Sequence, residues 1–269
     1  MLSTNGDKPR RPDTADFHTR AVHRVISTIR GRLDENISLK DMASVAYMSR
    51  FHFNRTFREI TGLPPRRFLS ALRVESATRM LLDTDHRVTD ICLDVGYNSL
   101  GTFIRRFSEA LGVSPMRLRS TRRSSGQGLL QEPETPSQAN GEPVCSVEGR
   151  ILAPASFSGP IFVGLFPTPI PEGAPAACTI QYGSGGFRIA PAPKGKHYLF
   201  ALGLPWPERV SDFFSHESAF RGGGALVSVD GDKTEFREIC LRAATPTDAP
   251  ILVNLPFLLE KRKNLPAVA

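Results

Sequence analysis

Apolar positions in the first 125 residues recur at helical spacing. Phe17, Ala21, Val25, Ile29 and Leu33 stand four apart, Val22 and Ile26 widen the stripe, and together they predict one amphipathic helix over about 17–33. Ser38 with Asp41 three residues on resembles a capping box, with Asp in place of Glu, and opens a short helix ending near Ala46. After a turn at Tyr47-Met48, Ser49 is placed to cap a longer helix that runs to about Thr61 and stops at Gly62. Pro64-Pro65 can open the next helix, with Phe68, Leu69, Leu72, Ala77, Leu81 and Leu82 on its buried side.

Past residue 143 the pattern changes to short apolar runs cut by Gly and Pro. It predicts strands over Ser146–Leu152, Pro160–Phe166, Ala177–Gln181, Gly186–Ala190, Lys196–Leu202, Ala225–Val229, Phe236–Ala243 and Ile251–Leu255. Many short strands so punctuated suggest a β-sandwich. Between the halves, Ser124–Pro143 has few large apolar residues and no period. It cannot repay its ordering entropy and is expected to be a flexible linker.

The helical half then repeats itself. Ser49, Phe53, Arg55, Phe57, Gly62 and Pro65 reappear as Ser99, Phe103, Arg105, Phe107, Gly112 and Pro115, at an offset of 50. Upstream of the turn the offset is 49: Leu39, Asp41, Met42, Ala43 and Ala46 match Val88, Asp90, Ile91, Cys92 and Val95. The second turn, Gly96-Tyr97-Asn98, is one residue longer. A short helix, tight turn and longer helix is helix-turn-helix geometry, whose second helix enters the DNA major groove. Ala43 and Cys92 are small where the two helices would cross.

Charge sharpens this picture. Residues 1–125 hold 22 Lys+Arg, 20 of them Arg, against 13 Asp+Glu, whereas the remainder has a balance of −2. Basicity confined to one half points to an anionic partner for that half, with double-stranded DNA the first candidate. No apolar run approaches the ~20 residues of a membrane span, and no membrane partner is expected. The polar N-terminus lacks the apolar stretch of a secretory signal. Cys92, Cys145, Cys178 and Cys240 show no paired spacing, so a disulfide scaffold and a zinc site are both unexpected and a reducing cytosol fits.

Residues 18–119 resemble the DNA-binding domain of the AraC/XylS family of bacterial transcription regulators. The densest match is ICLDVGYNSLGTFIRRFSEALGVSPMRLR, in which Ile91, Gly96-Tyr97, Phe103, Arg105, Phe107, Gly112, Ser114-Pro115 and Arg119 fit the family pattern. Arg73, Ala77 and Leu81-Leu82 fit its bridging helix. Departures are Cys92 where Ala is usual, Tyr47 where the first turn often has Gly, and Gly101 early in the second recognition helix. The resemblance implies two recognition helices on successive major-groove segments of one DNA face, so that one chain reads an asymmetric site.

Phe53 and Phe57 fix the buried face of the first recognition helix and leave Ser49, Phe51, Asn54, Arg55 and Arg58 for DNA or flanking positions. By resemblance, Ser49, Phe51, Asn54 and Arg55 are the best DNA contacts. Asn can pair with adenine, Arg with guanine, and Phe can pack on a thymine methyl. Phe51 also fits a core position, and Asn54 a plain surface one. The matching second set is Ser99, Leu100, Gly101, Ile104 and Arg105, which offers little hydrogen bonding apart from Arg105. It reads shape and methyl groups, or mainly grips phosphate. Arg66, Arg67, Arg117, Arg119, Arg122 and Arg123 are further cations for phosphate or for a solvated face. His52 fits a surface or packing role better than a ligand role.

The C-terminal half carries no recognisable chemistry. VEGRI with GPIFVGLF, and GGFRIAPAPKGKHYLFA, resemble the carboxypeptidase-regulatory-like, transthyretin-like sandwich, though other small sandwiches share this texture. Arg221-Gly222-Gly223-Gly224 lacks the Gly-Lys-Ser/Thr ending of a phosphate loop, and His216-Glu217 has no nucleophile beside it. No enzyme activity, cofactor or metal is expected. The half is left with partner binding, self-association or sensing of a small-molecule or protein effector.

The expected chain is multidomain, an all-α double helix-turn-helix domain followed by an all-β sandwich. Residues 1–16 are a disordered tail, 17–123 the DNA-binding domain, 124–143 the linker, 144–259 the sandwich and 260–269 a basic tail. The expected function is a cytoplasmic, nucleoid-associated, sequence-specific transcription regulator. The competing reading is a non-catalytic architectural DNA-binder whose sandwich tethers another protein. Oligomeric state is left open.

Overall fold

A computed structural model describes residues 12–123, 145–214, 218–230 and 235–263. The linker 124–143 and the pair His216-Glu217 lie outside the described residues. Among the described residues, seven helices come first: α1 (Pro12–Arg30), α2 (Leu39–Val45), α3 (Arg50–Thr61), α4 (Pro65–Asp83), α5 (Val88–Asp94), α6 (Leu100–Leu111) and α7 (Pro115–Ser120); eight strands follow, and α8 (Leu255–Lys263) comes last.

Local signals account for most helix ends. Ser38 closes the expected capping box: its Oγ accepts from Asp41 N–H at 3.2 Å, and Asp41 Oδ2 accepts from Ser38 N–H at 2.9 Å. Such a cap stabilises a helix by ~1 kcal/mol. Ser49 and Ser99 cap α3 and α6 through the hydroxyl alone, without the reciprocal side-chain bond. Gly62 and Gly112 end them at φ 77° and 71°, the left-handed cap that glycine adopts without strain. The first helix differs from expectation at both ends. Helix α1 starts at Pro12 instead of Phe17, where proline suits a first turn, and stops at Arg30 short of Leu33. Phe17 is consequently half exposed on α1 and not part of the core.

The strands form two sheets. Three-stranded β4-β1-β7 joins β1 (Val147–Leu152) to β4 (Gly185–Ile189) antiparallel and to β7 (Glu235–Cys240) parallel. Five-stranded β3-β2-β5-β6-β8 holds β3 (Ala177–Tyr182), β2 (Pro160–Phe166), β5 (Gly195–Gly203), β6 (Phe220–Val229) and β8 (Arg242–Ala243). Val147, Ile151, Phe187, Ile189 and Ile239 face Ile161, Val163, Leu165, Leu199, Ala201, Val227 and Val229 in a shared core. That is a sandwich, as the many short strands cut by Gly and Pro implied.

Three strand expectations need correction. Phe236–Ala243 is not one strand: β7 ends at Cys240 in one sheet and β8 pairs with β6 in the other. The run changes sheets at Leu241, whose N–H donates to Leu152 C=O at 2.8 Å. The Gly-rich run Arg221–Gly224 lies inside β6, at the bulge where the register shifts between Leu199 and Phe200. Ile251–Leu255 is not a strand; it makes a single bridge, Leu252 to Glu172. The reason is local: Asn254 Oδ1 accepts from Phe257 N–H at 3.2 Å and starts α8, with Pro256 in its first turn. Residues 260–263 are therefore helical and not tail.

Every residue of β2 is buried, because both faces of its sheet are covered. Phe162, Phe166 and Leu202 on the outer face join Val210, Phe213 and Phe214 of a short 3-10 turn. The same apolar cluster includes Leu81, Leu82, Phe103, Phe107 and Leu111. The second helix-turn-helix unit and the outer face of the five-stranded sheet thus share one cluster.

Candidate nucleic-acid interface

The two helix-turn-helix units are superimposed in chemistry as well as in pattern. In the first, Met48 N–H donates to Ala43 C=O at 3.0 Å; in the second, Tyr97 N–H donates to Cys92 C=O at 2.9 Å. Ala43 and Cys92 are both buried at the helix crossing, and burial pushes the Cys92 thiol pKa up. Phe53 packs on Phe57 at 5.4 Å between ring centroids, and Phe103 on Phe107 at 5.6 Å. All four rings are fully buried. Burying one face of each long helix fixes what the other face shows.

On α3, Arg50, Phe51, Asn54, Arg55 and Arg58 are exposed, and Ser49 sits exposed at the cap. Phe51 is 87% exposed, which removes it from the core and leaves a large aromatic ring in water. On α6, Ser99, Leu100, Gly101, Thr102, Ile104 and Arg105 form the corresponding exposed row. Ser49 and Ser99 hydroxyls are engaged, since they accept from His52 N–H and Thr102 N–H at 3.4 Å. Arg55 lies 3.8 Å from Glu59 and Arg105 3.4 Å from Glu109, the same i,i+4 pair in each unit. Such exposed pairs are weak and exchange readily for a phosphate or a base. His52 is half-buried, with Nε2 3.4 Å from His18 Nε2, and packs α3 on α1.

The units are tied together through α4. Arg73 Nη2 donates to Glu35 C=O at 2.8 Å, and its guanidinium lies 5.7 Å from the Tyr97 ring centroid. Burial lowers the Arg73 pKa, with Tyr97 and Asp34 opposing. Glu75 is buried, and burial raises its carboxyl despite Arg30 at 3.0 Å. Several of the other arginines serve internal contacts. Arg67 pairs with Glu172 at 2.6 Å, Arg122 with Asp85 at 2.6 Å, and Arg117 lies over the Phe257 ring at 5.0 Å. Arg119 donates to His86 C=O. Arg66 is exposed, and the Arg123 side chain lies outside the described residues. Sequence reasoning missed Glu172 and Phe257, because they belong to the other half of the chain.

Residues 42–121 match the model of a helix-turn-helix domain family. The transcriptional activator AarP of Providencia stuartii is 30% identical over 118 residues, 44% of this chain and 87% of that relative. The chain belongs to the AraC-type helix-turn-helix transcription regulators. An uncharacterised regulator, YbfP of Bacillus subtilis, is 33% identical over 99 residues, and there the match spans 37% of this chain and only 34% of the relative. The solved DNA-binding domain of AdpA in complex with target DNA is 32% identical and covered over 93% of its length, with a TM-score of 0.37. The helix-turn-helix family match makes this AraC-type regulator a DNA-binding protein. Among its described residues no helix is long and apolar enough to cross a membrane.

Proposed function

We propose that this chain reads an asymmetric DNA site with two recognition helices, one per successive major groove. Ser49, Phe51, Asn54 and Arg55 face one half-element, with Arg58 flanking. Ser99, Leu100, Gly101, Ile104 and Arg105 face the other. The carrying observation is the matched pair of exposed rows on α3 and α6, each with an arginine at the same place. Asn54 suits adenine, Arg55 guanine and Phe51 a thymine methyl. The second row is apolar apart from Ser99, Thr102 and Arg105, and suits thymine methyl groups and DNA shape. The half-elements lie about one helical turn apart, roughly 34–36 Å.

The chain works in this reading as a cytoplasmic bacterial regulator without catalysis, with residues 17–123 as its DNA-binding part, 124–143 as linker and 144–259 as a partner, effector or self-association module. Sequence selection with the full chain, followed by footprinting at promoters, tests it. Two unlike half-elements without palindromy, bound by one chain, are expected. Sequence-indifferent coating of DNA would sink this reading in favour of an architectural role. Two chains on a palindrome would return dimerisation to the centre.

A further inference from the structure

One short segment of the C-terminal region touches both helix-turn-helix units. Ile170 is fully buried, and its neighbours are the core of the first unit and not that of the sandwich. Two residues on, the Glu172 carboxylate accepts from Arg67 Nη2 at 2.6 Å, and Arg67 lies in the first turn of α4, just past the first recognition helix. The next residue turns to the second unit: Gly173 N–H donates to Ala110 C=O at 2.6 Å. Ala110 is in the last turn of α6, where carbonyls have no intrahelical donor and must find one elsewhere. Ile170–Gly173 therefore joins the α3–α4 corner to the C-terminal end of α6.

The segment is itself stiffened. Leu252 N–H donates to Pro171 C=O at 2.8 Å, and Gly173 N–H is shared with Leu252 C=O at 3.0 Å. Thr168 Oγ1 donates to Ile170 C=O at 2.9 Å. Ile251, Leu252 and Val253 are buried in the apolar cluster that holds the core of the second unit. Ala249, just before them, packs on the first unit, and its carbonyl accepts from Arg221. Both short segments span the two units.

We propose that Ile170–Gly173, backed by Leu252, is a brace that fixes the separation and angle of the two recognition helices. The sandwich thereby sets which spacing of half-elements the protein accepts. This rests on the reading of α3 and α6 as the DNA-reading helices. The brace holds the α3–α4 corner and the C-terminal end of α6 and leaves the exposed N-terminal turns free for the grooves. Moving one half-element by one base pair displaces it by about 3.4 Å and rotates it by about 34–36°. A rigid pair must reject that displacement, and a hinged pair can follow it. Ile170 and Glu172 are positioning residues that act through the helices.

Spin labels on Ser44→Cys and Asp94→Cys, exposed on α2 and α5, report the relative placement of the units without DNA. The full chain carries them with Cys145, Cys178 and Cys240 replaced by Ser. The double variant Ile170→Ala, Glu172→Ala is expected to broaden the distance distribution. It should also cut the penalty for a one-base-pair shift in spacing at least five-fold. Glu172→Ala alone loses only a partly exposed ion pair and leaves the cores intact, and should move both readouts the same way by less. Unchanged distance distributions in both variants overturn the brace, whatever the DNA result. Broadened distances with an unchanged spacing profile overturn its role in specificity. A wild-type chain with no sequence preference refutes the DNA-reading assignment instead, while the label distances still decide whether the brace exists.

Discussion

The first helix-turn-helix unit closes its core almost by itself, whereas the second completes its core with the sandwich. Ala21, Val25, Ile29, Met42, Phe53, Phe57 and Phe68 form the first cluster, to which the sandwich adds Ile170 and the flank of Ala249. The second cluster runs without a break from Leu81, Ile91 and Phe107 into Phe162, Phe213 and Leu252. Their exposed rows differ as well: Phe51, Asn54 and Arg55 on one side, Leu100, Gly101, Ile104 and Arg105 on the other. The two copies agree at buried positions because the helix crossing fixes their size and shape. They diverge at exposed positions, where only a partner constrains the choice. One plan therefore carries one exposed row with Asn54 and Arg55 and a second that is mostly apolar.

The turns give the largest test of this difference. Gly96 in the second unit has φ 81°, and a Cβ there would lie 2.2 Å from Leu33 C=O and 2.6 Å from Arg73 Nη2. Gly96→Ala adds left-handed strain of ~1 kcal/mol to an overlap costing about 1–3 kcal/mol. We expect a loss of about 3 kcal/mol in chemical denaturation. A loss below ~1 kcal/mol would mean the α1–α2 loop yields freely and does not anchor the second turn.

The readers come next. Arg55→Ala should weaken specific DNA binding by about 1–3 kcal/mol and relax the preference at one position. Arg105→Ala, if that residue grips phosphate, should weaken all sequences alike and reduce the salt slope by about one unit. Titrations at two salt concentrations with a selected-sequence logo for each variant separate the two. Equal effects on the two logos would erase the contrast between the units.

Much of this contrast was legible in the sequence, and the boundary of legibility is physical. Phe53, Phe57, Phe103 and Phe107 announce themselves by period and repetition, and the serine caps by local hydrogen bonding. The exposed rows follow by elimination. What packs on what at long range leaves no local trace. Ile170, Phe213 and Phe214 sit in runs without period, and their burial comes from the other half of the chain. Ile251–Leu255 fits a strand by hydrophobicity alone, because a short apolar run does not reveal its backbone. The Asn254-Leu255-Pro256 start signal was readable there and decides it. Arg67 belongs to a charge run whose partner, Glu172, is 105 residues away.

The loop that leads into the Ile251–Val253 segment has its own titration. Asp248 sits just before Ala249 and the Ile251–Val253 segment. Burial alone would raise its carboxyl, but hydrogen bonds from Arg242 and the Thr245 N–H outweigh it and hold the pKa at about 2. A depressed folded pKa contributes stability above the unfolded value, 3.8, that is lost as pH falls through about 2. Asp248→Asn should therefore cost about 1–2 kcal/mol at pH 7. The gap to wild type should narrow below pH ~4 and close near pH ~2. A gap that stays constant with pH would remove the ionised Arg242–Asp248 pair from the stability of this loop.

The smallest effect is the most discriminating about the turns. Tyr47 is the first-unit counterpart of Gly96 and has φ 55°, the only positive φ outside glycine among the described residues. It is 81% exposed, with the Arg24 guanidinium 5.5 Å from its ring centroid. Tyr47→Gly removes ~1 kcal/mol of left-handed strain. It also loses an exposed cation–π contact worth about 0.5–1 kcal/mol and adds about 0.5–1 kcal/mol of chain entropy in the unfolded state. The net change should be a loss of about 0–1 kcal/mol. Tyr47→Ala keeps the strain and loses the contact, so it should be less stable than Tyr47→Gly. That order is the reverse of a helix interior, where Ala is favoured over Gly by about 1 kcal/mol. Denaturation of the two variants side by side measures it. Ala more stable than Gly at position 47 would mean the first turn relaxes out of the left-handed region once the tyrosine is gone. The two turns would then differ in backbone as well as in sequence.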